Sequence, residues 1–220
     1  MKERLVLSSD VLLTLQQLAN HHRCQLGTTI VGVTGTNGKT TTKELIAAVL
    51  SKKYNVLYTQ GNFNNHIGVP KTLLQLRPEH EIAVVEMGAN HPGEIADLVQ
   101  ISHPDCGLIT NVGKAHLEGF GSLEGVLKTK GALYDYLREK KGQVFINAQN
   151  ELLQSISHDL NLLSYALDAD TDVQGHVVDC SPFVVLEWNR KGGEKHQVKT
   201  NFVGIYNAEN MLAAVTVGLH

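Results

Sequence analysis

The sequence is poor in the residues that build disulfide frameworks, nucleic-acid surfaces and zinc sites. Its 220 residues include three cysteines, Cys24, Cys106 and Cys180, which are far apart along the chain. An odd number at this spacing suits neither a disulfide framework nor a zinc ligand set, and it favours a reducing compartment. The formal net charge is -3, and the 19 Lys and Arg residues are scattered. Without a basic patch, no nucleic acid is expected as a partner.

Long apolar runs are also missing. The N-terminal residues soon meet Ser, Asp and Gln, so the sequence predicts neither a signal peptide nor a membrane span. We therefore expect a cytoplasmic location and no membrane partner. The hydrophobic content of 42% is nevertheless enough for a substantial core, in one large α/β domain or two small ones.

Strand and helix patterns alternate through most of the chain. A helical spacing of apolar residues over 9–22 predicts a lead-in helix, and residues 1–28 are interpreted as a linker with this helix. Strands are predicted at 30–33, 56–58, 82–85, 107–110 and 144–146. After a loop at 34–39, a helix is predicted through 45–50, and further helices at 69–75, 93–99 and 123–137. This alternation predicts an α/β fold of three layers, like a P-loop NTPase, with a mostly parallel sheet between helices.

The pattern changes after about residue 162. Short alternating strands at 174–178, 183–188 and 197–202 predict a small antiparallel β appendage over about 172–203. A helical pattern over 206–219 follows and stops at His220 without a helix cap. We therefore expect the chain to be a fragment of a longer protein.

The most informative segment reads GVTGTNGKTTT over residues 32–42, between an apolar strand and a predicted helix. Glycines let backbone N–H groups turn toward phosphate oxygens, and the helix N-terminus adds partial positive charge. Lys39 would contact the β and γ phosphates and Thr40 would bind Mg²⁺. The strict pattern GxxxxGK[ST] is not met because Val33 occupies its first glycine position. The segment therefore predicts a variant nucleotide-binding loop rather than a simple helix-capping turn.

Three further residues are candidates because ligands gather where parallel strands end. Glu86 follows an apolar strand, and a carboxylate there could bind a phosphate-bound Mg²⁺. His116 follows the strand at 107–110, and Lys130 lies on the next predicted helix. Considered singly, Glu86 could cap a helix, His116 could be an ordinary loop histidine, and Lys130 a solvated lysine. Position alone favours a metal role for Glu86 only.

Four segments resemble the Mur ligase family, whose members are ATP-dependent and add amino acids or dipeptides to the peptidoglycan precursor. The segments are TGTNGKTTT at 34–42, EMGANHPGEI at 86–95, TNVGKAHLEGFGS at 110–122 and GIYNAENMLAA at 204–214. The resemblance covers nearly the whole chain, and it accounts for the departure of the loop from the strict pattern. It implies that residues 29–220 are the central ATP-binding domain. The UDP-binding N-terminal domain and the closing C-terminal domain of the family would then lie outside this sequence.

The resemblance also implies roles for individual residues. Lys39, Glu86, His116 and Lys130 would be catalytic, and Thr40, Glu86, His116 and Lys130 would hold Mg²⁺, two ions being expected. Lys130 matches a lysine that is often carbamylated in the family. The implied ATP-binding residues are Gly35, Thr36, Asn37, Gly38, Lys39, Thr40, Thr41, Asn207 and Asn210.

Within the family, the segment GNFNNHIGVPKTLL at 61–74 resembles the members that add D-alanyl-D-alanine to UDP-N-acetylmuramoyl-tripeptide. The implied reaction converts a carboxylate to an acyl phosphate, which an amine then attacks. Amide side chains suit a polar substrate, although asparagines also form turns. The implied substrate-binding residues are Asn62, Asn64, Asn65, Asn90 and His91.

Three other functions stay open from the residues alone. One is another ligase of the superfamily, such as a folylpolyglutamate synthase-like enzyme, although the 61–74 segment argues against it. The second is a P-loop ATPase or kinase that ligates nothing, and the third is a non-catalytic nucleotide-binding module. Dependence of phosphate release on both ligase substrates would distinguish them.

Overall fold

The fold was analysed in a computed structural model, which describes residues 7–113 and 120–220. Within these residues there are nine strands and seven helices. The strands are β1 Thr29–Thr34, β2 Val56–Tyr58, β3 Ile82–Glu86, β4 Cys106–Ile109, β5 Gln143–Asn147, β6 Asn161–Leu167, β7 Val173–Asp179, β8 Phe183–Arg190 and β9 His196–Val203. The helices are α1 Val11–Cys24, α2 Lys39–Leu50, α3 Gly68–Leu73, α4 Glu94–Ser102, α5 Leu123–Lys140, α6 Glu151–Ser155 and α7 Tyr206–Leu219.

All nine strands form one sheet in the order β2-β3-β1-β4-β5-β6-β7-β8-β9. Neighbouring strands are parallel from β2 as far as β7, and only the β7–β8 and β8–β9 pairs are antiparallel. The predicted α/β fold with a mostly parallel sheet and an antiparallel end is thus confirmed.

The sequence prediction missed one strand and one connection. Strand β6 was not predicted because its residues, NLLSYAL, combine a continuous apolar run with two polar positions and lack clear alternation. This strand pairs in parallel with both β5 and β7. The antiparallel strands therefore extend the main sheet rather than forming a separate small sheet.

The core has two apolar layers, one on each face of the sheet. One layer joins the sheet to α1, α3, α4 and α5, and includes Leu73, Leu98 and Leu133. The other joins it to α2 and α7, and includes Ile46 and Leu212. Successive residues of one strand point to opposite faces, so Ile30 of β1 packs in the first layer and Val31 in the second. This alternation confirms the three-layer prediction.

Helix starts follow ordinary capping chemistry at three places. Asp10, Ser122 and Asn150 each accept a hydrogen bond from a backbone N–H in the first turn of α1, α5 and α6. Helix α2 differs, because its N-cap is Gly38 and no side chain caps it. Among the described helices, none has the length and apolar content that crossing a bilayer requires.

Candidate active site

The predicted nucleotide-binding loop at residues 35–38, the phosphate loop, lies between β1 and α2 in the middle of the sheet. Strand β1 pairs with β3 on one side and with β4 on the other. Two loop glycines have positive φ, 148° at Gly35 and 76° at Gly38, a region that favours glycine. A Cβ on Gly35 would come within 1.9 Å of the Thr110 hydroxyl oxygen. The loop conformation therefore requires glycine at both positions.

Lys39 is the first residue of α2, and its side chain folds back over the loop. Its ammonium donates hydrogen bonds to the carbonyl oxygens of Gly35, at 2.9 Å, and Thr36, at 3.0 Å. Burial lowers the pKa of Lys39, while the negative charge of Glu86 acts in the opposite direction. The cation is thus held above the concave side of the loop, together with the uncapped N-terminus of α2. Both features favour binding of an anion.

The segment that follows β4 braces the phosphate loop. The Thr36 N–H donates to the Asn111 carbonyl at 2.9 Å, and the Asn37 N–H donates to the Asn111 side-chain oxygen at 2.9 Å. The Thr110 hydroxyl donates to the Asn37 carbonyl at 2.6 Å, and the Gly113 N–H donates to the Thr36 hydroxyl at 3.0 Å. These bonds fix the loop conformation independently of any ligand.

Glu86 ends β3 beside the start of α2, as the sequence predicted for a strand-terminal carboxylate. Because Glu86 is in register with Val33 of β1, its side chain lies next to the phosphate loop. Its Oε1 accepts hydrogen bonds from the Thr40 hydroxyl at 3.2 Å and from the Asn64 amide at 2.7 Å. Its Oε2 is buried and has no hydrogen-bond partner among the described residues. This Oε2 lies 3.9 Å from the Lys43 ammonium, and Oε1 is the oxygen beside the Thr40 hydroxyl. A buried carboxylate beside a threonine hydroxyl fits a bound cation such as Mg²⁺.

Lys130 and His116 were also predicted as metal ligands, and the structure describes only Lys130. Lys130 lies on α5, is 3% exposed, and has its ammonium 5.8 Å from the centre of the Phe120 ring. Burial, and then the positive charge of Lys39, lower its pKa to about 8. Lys130 therefore faces the interior on the side of the phosphate loop and is not a solvated lysine. His116 lies outside the described residues.

The predicted substrate-binding asparagines divide into two groups. Asn64 is engaged with Glu86, and the side-chain oxygen of Asn65 accepts from the N–H groups of Ile67 and Gly68, at 3.1 and 2.9 Å. Asn62 and Asn90, by contrast, are exposed, and within the described residues their side chains make no hydrogen bonds. Asn64 and Asn65 thus make structural contacts, whereas substrate binding by Asn62 and Asn90 stays a prediction.

His91 is exposed and belongs to the turn before α4. The carboxylate of Glu94 accepts from the N–H groups of Asn90, at 2.6 Å, and His91, at 3.0 Å. Partial desolvation acts to raise the pKa of Glu94, but the hydrogen bonds and the nearby His91 together outweigh it, so the net pKa is lowered. The Glu94 carboxylate therefore stabilises the turn that presents Asn90 and His91.

A cavity of about 700 Å³ lies next to these asparagines, between α1 and α4. Asn65, Gly88 and Glu94 line it together with Leu12 and Gln16 of α1. The cavity lining does not include the phosphate loop. It thus adjoins the predicted substrate residues and is separate from the predicted nucleotide site.

Asn207 and Asn210 on α7 reach the phosphate loop from the face of the sheet that α7 shares with α2. Asn210 accepts from the Thr42 hydroxyl at 3.1 Å and donates to the Asn207 side-chain oxygen at 3.2 Å. A Cβ on Gly38 would lie 2.7 Å from the Asn210 oxygen. The structure therefore brings both predicted nucleotide residues to the N-terminus of α2, where they hold α7 against it.

Three residues that shape the site were not predicted from the sequence: Lys43, Thr59 and Asn111. Asn111 could have been found, because it follows β4 just as Glu86 ends β3. Lys43 could have been suspected, because a lysine four residues after Lys39 lies on the same helix face. Thr59, whose hydroxyl accepts from the Glu86 N–H at 3.0 Å, gives no signal in the sequence.

Comparison with known proteins agrees with this geometry. The family model described as Mur ligase middle domain matches residues 33–218. The UDP-N-acetylmuramoyl-tripeptide--D-alanyl-D-alanine ligase of Escherichia coli is 50% identical over 141 residues, which are 64% of this chain and 31% of that protein. The ligase of the same name from Bacillus subtilis is 39% identical over 218 residues, which are 98% of this chain and 46% of that protein.

A solved structure shows the same architecture. The chain superposes on MurF ligase from Thermotoga maritima in complex with ADP with a TM-score of 0.86 and 30% identity, covering 97% of this chain and 50% of the other. The chain thus spans half or less of the length of these relatives. Sequence motifs, phosphate-loop geometry and fold agree, and the chain belongs to the Mur ligase family, matching its middle domain.

Proposed function

We propose that this chain is the ATP-binding domain of an ATP-dependent ligase that adds D-alanyl-D-alanine to UDP-N-acetylmuramoyl-tripeptide. One observation carries the proposal: the buried Glu86 accepts hydrogen bonds both from Thr40, which directly follows the phosphate loop and Lys39, and from Asn64 of the asparagine-bearing segment, residues 60–67. A relative named for this reaction aligns with 98% of the chain at 39% identity. The domains that bind the UDP group and close over the site would be supplied by the rest of the protein.

The nucleotide would bind at the concave side of the phosphate loop. The N–H groups of Thr36 and Asn37 already bond to Asn111. The phosphates would therefore bind the first N–H groups of α2, which have no acceptor within the helix. The Lys39 ammonium would exchange its two carbonyl acceptors for oxygens of the β and γ phosphates. Asn207 and Asn210 fix the adjacent end of α7 and would lie near the adenine. The Thermotoga maritima relative forms a complex with ADP, which supports an adenine nucleotide as the ligand.

Thr40 and Glu86 are the described residues that would hold Mg²⁺. Bound there, Mg²⁺ supplies positive charge that stabilises the phosphate oxygens during transfer. We further propose His116 and Lys130 as ligands of a second ion, with Lys130 carbamylated. At a pKa of about 8, part of the Lys130 population is a neutral amine at neutral pH. A neutral amine can add to CO₂, forming an N–C bond and releasing a proton.

Two bond exchanges make up the proposed reaction. A carboxylate oxygen of the tripeptide attacks the γ-phosphorus, and the bond to the bridging oxygen of ADP breaks. The amine of D-alanyl-D-alanine then attacks the acyl carbon, the C–O bond to phosphate breaks, and the amine releases a proton. The residues of this chain bind and orient the reactants, since phosphoryl transfer depends mainly on positioning and charge stabilisation.

The contacts and exposure of the polar residues support different proposed roles for them. Asn64 and Asn65 would shape their segment, because their side chains already bond to Glu86 and to the start of α3. Asn62, Asn90 and His91 are exposed and would contact the peptide substrate. Amide groups suit this task because they bind peptide carbonyls and sugar hydroxyls without adding charge.

Phosphate release by the full-length protein tests the proposal. We expect ATP turnover that requires both the UDP-muramoyl tripeptide and D-alanyl-D-alanine, with the amide product detected by mass spectrometry. Lys39→Met should lower turnover by at least about 100-fold, because the phosphates lose a charge-assisted partner. The exposed Lys53→Met is the matched control and should keep wild-type turnover. Phosphate release that ignores both substrates would overturn the ligase assignment.

A further inference from the structure

Lys43 is a fully buried lysine that the proposed chemistry does not use. Its side chain is 0% exposed, and its ammonium donates to the carbonyl oxygens of Thr59, at 2.7 Å, and Gly61, at 3.3 Å. The carboxylate of Glu44 lies 2.9 Å away, and Oε2 of Glu86 lies 3.9 Å away. Oxygen atoms from three parts of the chain therefore surround this one cation.

Such a position needs an explanation, because removing an ammonium from water is expensive unless it is paired. Lys43 lies one helical turn after Lys39 and Thr40 on α2. It is thus behind the phosphate loop and beyond direct reach of the loop carbonyls that Lys39 contacts. Apart from Glu44 on the same helix, its partners belong to β3 and to the segment that follows β2.

These partners form a closed circuit of contacts. The Thr59 hydroxyl accepts from the Glu86 N–H at 3.0 Å. Gly61 lies near the start of the segment that carries Asn64, and Asn64 donates to Glu86 Oε1 at 2.7 Å. Lys43 connects the two arms of this circuit, since it contacts Thr59 and Gly61 on one side and approaches Glu86 on the other.

We propose that Lys43 is a positioning residue that holds Glu86 and the asparagine-bearing segment, residues 60–67, at a fixed separation. It would thereby couple the nucleotide and metal half of the site to the peptide half. The inference rests on the proposed function for the identity of the two halves. The circuit itself depends only on the contacts of Lys43.

The decisive comparison is Lys43→Met against Lys53→Met. Methionine keeps the length of the buried Lys43 stem and removes its charge. Lys53 is the matched control because it lies just after α2 and its side chain is exposed. In the full-length protein, Mg²⁺ should strengthen ADP binding about 10-fold less in Lys43→Met than in wild type, the size typical of lost support for a metal ligand. The KM for the UDP-muramoyl tripeptide should rise by a similar factor. ADP affinity without Mg²⁺ should stay within about twofold, since Lys43 does not touch the phosphate loop.

A second readout needs neither metal nor turnover. Amide hydrogen exchange in the ligand-free protein should become faster at residues 60–67 in Lys43→Met and stay unchanged at residues 35–38. Lys53→Met should match wild type in both segments. A general increase over the whole protein would mean that Lys43 is only a structural residue and would overturn the proposal.

If Lys43→Met does not fold, Asn64→Ala opens the same circuit at a partly exposed side chain. The proposal then requires the same loss of Mg²⁺ enhancement and the same rise in KM. Wild-type values of both in a folded variant would overturn it. Turnover without the peptide substrates would contradict the ligase assignment alone, because the Mg²⁺ and exchange measurements do not depend on it.

Discussion

Charged pairs near the two ends of the sheet differ in how far their side chains are buried. Beside β3, Lys43 and Glu86 have side chains 0% and 1% exposed and lie 3.9 Å apart. Beside β8, Lys195 and Glu187 lie only 2.8 Å apart, but their side chains are 71% and 29% exposed. The closer pair is screened by water, and the buried pair interacts in a less polar medium. Burial of the side chains, and not the distance between the charged atoms, therefore indicates which ion pair affects the stability and the site of this protein.

The apolar residues show the same difference. Phe145 of β5, in the middle of the sheet, is 0% exposed, whereas Val198 of the edge strand β9 is 37% exposed. Helices cover both faces of the parallel strands, but β9 is at the edge of the sheet. We infer that the parallel part supplies most of the free energy of unfolding and that the β8–β9 pair supplies little.

Phe145→Ala should show the largest effect on this comparison. Loss of a fully buried aromatic ring should lower the free energy of unfolding by about 3–5 kcal/mol. Val198→Ala is the control and should lower it by less than about 1 kcal/mol, because the side chain is already partly in water. Urea unfolding of both variants, followed by circular dichroism, measures the two values. Equal losses would mean that the edge strands belong to the same cooperative core.

Lys130→Met should have the next largest effect, because it removes a buried cation. The folded-state pKa of about 8 lies below the usual value for lysine, so protonated Lys130 destabilises the folded protein below pH 8. As the pH rises from 8 toward 10.5, the folded protein loses this proton before the unfolded chain does, and stability rises. The shift corresponds to at most about 3 kcal/mol.

Measurement of the urea midpoint from pH 7 to pH 10 without bicarbonate tests this prediction. Lys130→Met should be more stable than wild type at pH 7, and the difference should shrink as the pH rises. Lys128→Met, an exposed lysine on the same helix, should follow the wild-type curve. A Lys130→Met curve that stays parallel to wild type would show that Lys130 has an ordinary pKa.

Lys195→Ala should have the smallest effect. Exposed ion pairs contribute between 0 and 1 kcal/mol, so we expect a loss of less than about 0.5 kcal/mol despite the 2.8 Å separation. The loss should vanish at about 1 M salt, where screening is nearly complete. A loss above about 1.5 kcal/mol would contradict the view that burial ranks these ion pairs.

Local sequence patterns were sufficient for much of the fold and for part of the site. The phosphate loop was predictable because glycine conformations and helix N-termini bind phosphate over a few adjacent residues. Glu86 was predictable because the end of a parallel strand faces the ligand edge of the sheet. Strand β6 was missed because its sequence has no clear alternation of apolar and polar residues. Its pairing with β5 and β7 defines it as a strand.

The roles of the amide and lysine side chains were not predictable in the same way. Asn62 and Asn64 are two residues apart in one motif, yet only Asn64 bonds to Glu86. Lys39 and Lys43 occupy the same face of α2, yet one covers the phosphate loop and the other is fully buried. Each difference arises from a partner at least 16 residues away in sequence, which no local pattern reports.

The sequence by itself determined the phosphate loop, the alternation of strands and helices, and the family. These depend on conformational preferences and spacings that act within a few residues. Only the tertiary structure decided that Thr40, Lys43, Asn64 and Glu86 would meet, because this requires β1 and β3 to be neighbours with Val33 opposite Glu86. Strand order and register are set by packing of the whole sheet, and the same packing determines which charges are buried.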